Sequence, residues 1–306
     1  MTEADHRFIT DLPTLTDPVL VVMLSGWIDA SGAAAEAMSA IQQEIDAVPL
    51  VAFDDDLYID YRARRPTLEI RDGESARLVW SSPEMQFGTT SRGRDLVVLH
   101  GPEPDTAWHR FGRTVGELSE RLGVRRMVAL GAYPFATPHT RPVVVTATSP
   151  SRDLIAGLPY RTNSVDVPAG MAAVLEQELH GRGIPSVSVW AQVPHYVASM
   201  SYPAASVALL DGLTTVAGVA IEAAELRNEA VVQRERLDQL VAGNDEHRAM
   251  VAQFEEIFDA ADETDDASSD GSGTSEGQPA DGELELTSGD ELAGEIERFL
   301  RDRDQK

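Results

Sequence analysis

Six polar side chains follow four apolar, strand-like segments of this chain, and their types suit acid–base chemistry. They are Asp29, His100, Glu103, His139, Arg141 and His195. If the four segments are parallel neighbours in one sheet, these side chains lie near the carboxyl ends of the strands and share a crevice. A carboxylate, an imidazole and an arginine gathered there would suit general acid–base work on an anionic substrate. The structural alternative is that isolated histidines in proline-rich loops only cap those loops.

The elements that would position these residues alternate between strands and helices. The first segment, residues 19–24, is an uninterrupted apolar run typical of a strand buried on both faces. Similar runs cover residues 49–53, 95–99, 126–130, 142–147 and 185–191, and helical patterns cover residues 33–45, 106–122, 169–180 and 204–213. This alternation predicts an α/β fold with a mixed, largely parallel sheet flanked by helices.

Residues 65–97 interrupt this alternation. Within them, residues 67–71 and 77–81 are strand-like and are separated by Asp72-Gly73, a turn pair. The pattern predicts an antiparallel β-hairpin. It would either extend the edge of the sheet or pack against a second subunit.

The pattern also changes after Gly218. Residues 219–241 and 246–258 are amphipathic helical patterns separated by Gly243-Asn244, a helix-stop and turn pair. The second carries apolar residues at helical spacing on one face, namely Met250, Phe254, Ile257 and Phe258. We expect an α-hairpin appended to the α/β body, docked on that body or on another copy of the chain.

The C-terminal segment is predicted to be a linker followed by one more helix. Residues 262–287 are acidic and too poor in apolar residues to offset the entropy of ordering. Residues 288–302 begin with a capping box, S-x-x-E, and would form an amphipathic latch helix through Leu292, Ile296, Phe299 and Leu300. The predicted organisation is an α/β core (1–218), a helical extension (219–261), a disordered acidic linker (262–287) and the latch helix (288–302).

Composition excludes several classes of function. The formal charge of −26 argues against nucleic acid and anionic membrane as partners, since both attract clustered cations. Without cysteine the chain has neither disulfides nor thiolate chemistry. No apolar run approaches the roughly 20 residues of a membrane span, and no secretory signal pattern is present. We therefore expect a cytoplasmic protein.

Motifs for metals and cofactors are missing from the sequence. It has no H-E-x-x-H, no EF-hand loop, no P-loop, no G-x-G-x-x-G after the first strand and no G-x-S-x-G. Asp54-Asp55-Asp56 offers carboxylates for Mg²⁺, although such a run is more often a solvated turn. We predict no metal and no cofactor.

Several segments, taken in order, resemble the proteasome assembly chaperone 2 family in its actinobacterial branch. They are SGWIDASGAAAEAM, LVVLHGPEPDTAWHRF, LGAYPFATPHTRP, GMAAVLEQELHGRGIPSVSVWAQVPHY and SYPAASVALLDGL. The resemblance covers about residues 15–260, and the ending SGDELAGEIERFL is similar to that branch as well. It implies a fold akin to nucleoside phosphorylases, usually in oligomers, and eukaryotic members chaperone the assembly of proteasome α-rings.

Two functions follow as hypotheses. The first is a non-enzymatic assembly chaperone or scaffold that forms homo-oligomers and binds proteasome subunits or another protein. The second is an enzyme or binder of a small nucleoside-like or anionic metabolite in the crevice. The resemblance and the missing catalytic motifs favour the first, because a shared fold does not carry over an activity.

Overall fold

The fold is built on an eight-stranded mixed sheet. The computed structural model describes residues 5–162 and 164–269, with side chains described through residue 261. In chain order the elements of the first half are β1 (His6–Phe8), β2 (Val19–Ser25), α1 (Ala33–Glu44), β3 (Val48–Phe53), α2 (Asp55–Tyr58), β4 (Thr67–Arg71), β5 (Glu74–Val79), β6 (Glu84–Thr89), β7 (Asp95–Pro102) and α3 (Trp108–Arg121). Those of the second half are β8 (Arg126–Phe135), β9 (Val145–Thr148), α4 (Arg152–Ala156), α5 (Met171–Gly181), β10 (Ser186–Pro194), α6 (Pro203–Ala217), α7 (Ala224–Ala242) and α8 (Asp245–Ser269).

The strand order is β1-β3-β6-β7-β2-β8-β10-β9. The four central strands, β7, β2, β8 and β10, are parallel to one another. β9 and the strands on the other side, β6, β3 and β1, are joined by antiparallel pairing. The predicted mixed sheet flanked by helices is confirmed, with its parallel strands at the centre, and the candidate residues lie at or beyond the carboxyl ends of those strands.

Successive residues of the central strands point to opposite faces of the sheet, because side chains alternate along a strand. A layer of helices covers each face. On one face, Val21 of β2 lies in a core shared with α1 and α6. On the other face, Val22 lies in a core shared with α3 and α5, where Phe111 and Leu175 are fully buried. β2 is apolar throughout its buried part because both of its faces are covered.

The predicted hairpin is present but forms a sheet of its own. β4 and β5 pair only with each other, and β5 begins at Glu74, earlier than the sequence predicts. The next segment, β6, joins the main sheet between β3 and β7. Its sequence, EMQFGT, alternates too weakly to stand out as a strand.

The predicted helical hairpin is also present, as α7 and α8. Val251 is the most buried described residue of α8, at 4% exposure, and Phe254 is half-buried against the α/β body. α8 continues to Ser269, past residue 262 where the sequence predicts a linker. The predicted latch residues lie outside the described residues. The contact pattern divides the chain into two compact units. The described parts of the smaller unit are residues 164–168, which lack regular structure, and the end of α8 from Ala260.

Candidate functional site

Asp29 serves the start of helix α1. Its Oδ1 accepts a hydrogen bond from the backbone N–H of Ala34 at 2.9 Å, and its Oδ2 accepts one from Ala35 at 3.1 Å. These two N–H groups belong to the first turn of α1 and have no acceptor within the helix, so a carboxylate next to them is stabilising. Burial raises the pKa of Asp29, and the two N–H donors oppose that shift. Both of its oxygens are therefore engaged within the chain.

His100 and Glu103 also have partners in the chain. His100 on β7 lies opposite Glu84 on β6, with its Nε2 3.0 Å from Glu84 Oε1, and this contact lowers the pKa of Glu84. The carboxylate of Glu103 is buried, and its Oε2 accepts a hydrogen bond from the N–H of Met171 at 3.0 Å. Met171 is the first residue of α5, so Glu103 supports that helix as Asp29 supports α1.

Arg64 also lies at this end of the sheet, a position that the sequence pattern did not single out. Its Nε donates to Asp105 Oδ1 at 2.8 Å, and Asp105 Oδ2 accepts from the N–H of Asp60 at 3.0 Å. The guanidinium packs over Gly26, where an added Cβ would lie 2.7 Å from Nη2. The φ of +125° at Gly26 is one that favours glycine. A positioned arginine therefore lies next to the carboxyl end of β2.

His139 is buried between the α/β body and α7. Tyr196 Oη accepts a hydrogen bond from the His139 backbone N–H at 2.8 Å and lies 2.7 Å from Nδ1. Because the Asp238 carboxylate that faces Nε2 can only accept, Nε2 carries the proton of the neutral ring and Nδ1 accepts from the Tyr196 hydroxyl. Nε2 lies 3.2 Å from Asp238 Oδ1 on α7. Burial lowers the pKa of His139 and raises that of Tyr196 to about 12, so both groups are neutral at pH 7.

Arg141 is held by α8. Its Nε and Nη2 donate to the two carboxylate oxygens of Asp259, at 2.8 and 2.7 Å, and Nη1 donates to Glu255 Oε1 at 3.1 Å. Thr140 Oγ1 donates to the same Glu255 oxygen. On the other side of the loop, Arg234 of α7 donates to the carbonyl of Thr140 at 2.8 Å. The loop after β8 is thus tied to both helices of the α-hairpin.

His195 completes this contact through aromatic packing. Its ring lies edge-on to Phe254 of α8, with centroids 5.4 Å apart. Tyr196 is parallel to Phe254 at 6.4 Å. We call His139, Arg141, His195 and Tyr196 the hairpin clamp, because they bind the α7–α8 hairpin to the carboxyl ends of β8 and β10.

The six predicted residues therefore fall into three groups. Asp29 caps α1, His100 and Glu103 contact β6 and α5, and His139, Arg141 and His195 belong to the hairpin clamp. A common ligand crevice for all six stays a prediction. Two surface grooves, of about 720 and 480 Å³, have linings that include none of the six. Among the described residues, no group of three His, Asp or Glu side chains is arranged to hold a metal ion.

Sequence reasoning missed the partners of these residues. Tyr196 directly follows His195 at the same strand end, and this adjacency was a usable signal. Glu255 and Asp259 are four residues apart on α8, so both fall on one helix face. Nothing local in the sequence pairs that face with Arg141.

Among the described residues, the helices are too short or too polar to span a bilayer.

Comparison with solved structures places the fold among proteins of known architecture. A protein of unknown function from Mycobacterium tuberculosis is 30% identical, with a TM-score of 0.79 over 88% of this chain and 93% of that one. A PAC2 family protein from Streptomyces avermitilis is 32% identical, with a TM-score of 0.70 over 78% and 99%. A proteasome-assembly chaperone homologue from Mycobacterium tuberculosis is 32% identical, with a TM-score of 0.71 over 77% and 99%. No curated protein matches the chain.

These similarities define an α/β protein with a mixed sheet and helices on both faces, the class to which the three structures belong. The chain belongs to the PAC2 family, whose model matches residues 23–241. The resemblance read from the sequence segments is confirmed, and the matched region includes the whole of β7, β8 and β10 and nearly all of α7.

Proposed function

We propose that this protein is a non-enzymatic assembly chaperone or scaffold that acts as a homo-oligomer and binds proteasome α-subunits. One observation carries the proposal: the polar groups at the strand ends are engaged by the chain's own helices. Asp29 and Glu103 accept backbone N–H groups, and Arg141 is bound to Glu255 and Asp259. A catalytic acid or base needs a reachable proton, and these groups are already engaged.

Similarity to solved structures also supports proteasome subunits as the partner. One relative of 32% identity is a proteasome-assembly chaperone homologue, and it covers most of this chain. Chaperones and scaffolds act through surfaces, and a surface function requires no enclosed pocket. The net charge of −26 favours partner proteins that present basic or apolar docking surfaces.

The test is the light-scattering mass of the full chain, alone and with the cognate proteasome α-subunit. A truncation ending at Ser269 serves as the comparison, because it leaves α8 whole and removes the predicted latch helix. An oligomer that captures α-subunits supports the proposal, and loss of capture on truncation assigns the latch to partner binding. A monomer that ignores α-subunits would refute the proposal.

A second candidate function is binding of a small anionic metabolite at the carboxyl end of β2. The observation in its favour is Arg64, which Asp105 positions over Gly26 beside the half-exposed indole of Trp27. Calorimetric titration with inorganic phosphate and with a nucleoside monophosphate tests it. Saturable binding that Arg64→Gln abolishes and Arg125→Gln preserves would favour this function, and no heat with either ligand would count against it.

A further inference from the structure

The hairpin clamp contains a titratable group that is almost fully buried. The side chain of His139 is 1% exposed, and it lies between Tyr196, which follows β10, and Asp238 of α7. Tyr196 belongs to the α/β body and Asp238 to the α7–α8 hairpin, so the imidazole ring lies in the contact between the two. A charge on this ring therefore acts directly on that contact.

Protonation of His139 changes its hydrogen bonds. In the neutral ring, Nδ1 accepts from the Tyr196 hydroxyl at 2.7 Å, and Nε2 faces Asp238 at 3.2 Å. A second proton goes to Nδ1, which can then only donate. The Tyr196 hydroxyl, which already accepts the backbone N–H of His139 at 2.8 Å, has to accept from Nδ1 as well. Its own hydrogen then loses the acceptor that it has in the neutral state, at a cost in free energy.

The charged groups around His139 compensate only in part for a positive ring. Asp238 attracts the ring, but this carboxylate is half-exposed and water screens its attraction. Arg234 of α7 repels the ring, and Glu255 of α8 adds a weaker attraction. The α/β body contributes the neutral hydroxyl of Tyr196. Burial outweighs these contributions and lowers the pKa of His139 below its ordinary value of 6.5.

The direction of the pH effect follows from this lowered pKa. Once the hairpin is released, water reaches the ring and its pKa returns toward 6.5. The released state binds the proton more tightly, so the contact is fully stable above pH 6.5 and weakens as the pH falls from there through the lower pKa of the closed state. The bond between Arg141 and Asp259 stays charged in this range, because it holds the pKa of Asp259 below the ordinary value of 3.8.

We propose that the α7–α8 hairpin is a pH-sensitive lid over the carboxyl ends of β8 and β10, and that protonation of His139 releases it. Release separates Phe254 of α8 from the rings of His195 and Tyr196 and uncovers these strand ends. The inference does not depend on α-subunit binding, because it concerns a contact within one chain.

Hydrogen exchange read by mass spectrometry measures the release. Exchange of the α8 amides, divided by the intrinsic rate at each pH and referred to β2, should rise at least threefold between about pH 7.5 and pH 5.5. In NMR spectra of the same samples, the imidazole signal of His139 should titrate below 6.5. Unchanged α8 exchange over this range would overturn the proposal.

Two variants should move the effect in opposite directions. His139→Gln replaces the ring with an amide that donates and accepts but is not protonated, so α8 exchange should become independent of pH. Asp238→Asn keeps an acceptor for Nε2 and removes the attraction for the charged ring, so α8 should open more in acid than in the natural chain. If the glutamine fails to hold the hairpin, α8 exchanges fast at both pH values and Asp238→Asn decides. An acid effect that Asp238→Asn reduces would contradict the proposal.

Two other histidines serve as controls. His195→Gln changes the exposed imidazole of the hairpin clamp. His6→Gln changes a histidine whose pKa burial also lowers, but on β1 at the far edge of the sheet. Both variants should keep the pH dependence of α8 exchange, and circular dichroism confirms that each variant folds. If His195→Gln or His6→Gln abolished the acid effect, that histidine would be the sensor and the assignment to His139 would be wrong.

Discussion

Arg141 binds Asp259 through two parallel hydrogen bonds, from Nε to Oδ1 at 2.8 Å and from Nη2 to Oδ2 at 2.7 Å. The planar guanidinium of arginine matches the two oxygens of a carboxylate in this way, which a lysine cannot do. The two residues are 118 positions apart in the chain. Their contact ties the loop after β8 to α8, and it holds the pKa of Asp259 below its usual range.

Replacing Arg141 should loosen α8 and leave the sheet unchanged. In Arg141→Ala, both bonds to Asp259 and the bond to Glu255 are lost, so the amides of α8 should exchange hydrogen faster. Hydrogen exchange read by mass spectrometry checks this, with β2 as the internal reference. The control is Arg125→Ala, which removes an exposed pair with Asp17 far from α8 in sequence. Equal α8 protection in both variants would contradict the clamp.

Removing the Asp29 carboxylate should destabilise the fold through helix α1. Asp29→Ala leaves the N–H groups of Ala34 and Ala35 without their acceptors, and we expect a loss of about 1 kcal/mol in the free energy of unfolding. Asp29→Asn keeps one acceptor oxygen and should lose less. Urea denaturation measures both. If Asp29→Asn lost as much stability as Asp29→Ala, the negative charge of Asp29 would stabilise the fold in a way that its hydrogen bonds to α1 do not explain.

Much of this fold could be predicted from the sequence because its central strands are buried on both faces. β2 is a continuous apolar run rich in β-branched residues, the pattern of a strand that is covered on both faces. β6 was missed because its residues alternate polar and apolar imperfectly, around Gly88. β1, with three residues, is too short to carry a pattern. Both pair antiparallel with β3, and long-range pairing leaves little local signal.

The site was less predictable for a related reason. The sequence located Asp29, Glu103 and Arg141 correctly after strand-like segments, since strand ends follow from local patterns. It could not show which groups face them. Glu103 meets the N-terminus of α5, 68 residues later, and Arg141 meets α8. Those partners depend on how the layers pack, which no local pattern encodes.

Glu176 should make stability depend on pH. This α5 carboxyl is 6% exposed, accepts from Ser188 Oγ and lies 3.3 Å from Thr148 Oγ1. Burial raises its pKa above the ordinary value of 4.5, so the folded chain binds its proton more tightly than the unfolded chain does. Stability is therefore greatest below the unfolded pKa and falls as the pH rises through the folded pKa.

The matching variant is Glu176→Gln, which keeps an acceptor for Ser188 and cannot ionise. We expect it to be more stable than the natural chain at pH 7, with the advantage disappearing as the pH falls toward 4.5 and below. Urea denaturation across this pH range measures the difference. The control is Glu178→Gln on the same helix, whose carboxylate pairs with Arg182 and should give no such gain. A Glu176→Gln chain that is less stable at every pH would mean that the charge itself is needed.

A side chain at Gly88 should destabilise the fold. A Cβ at this β6 position would lie 2.1 Å from the carbonyl oxygen of Ile45, and a backbone atom cannot move aside as a flexible side chain can. We expect Gly88→Ala to cost about 1 to 3 kcal/mol in the free energy of unfolding, the range for overpacking a filled interior. The control is Gly181→Ala at the end of α5, where no atom lies within 4 Å of the added Cβ. Alanine there should be neutral or add about 0.5 kcal/mol, since it is the better helix former. Urea denaturation of both variants decides the matter. If Gly88→Ala proved as stable as Gly181→Ala, the close approach of β6 to the end of α1 would have to be wrong.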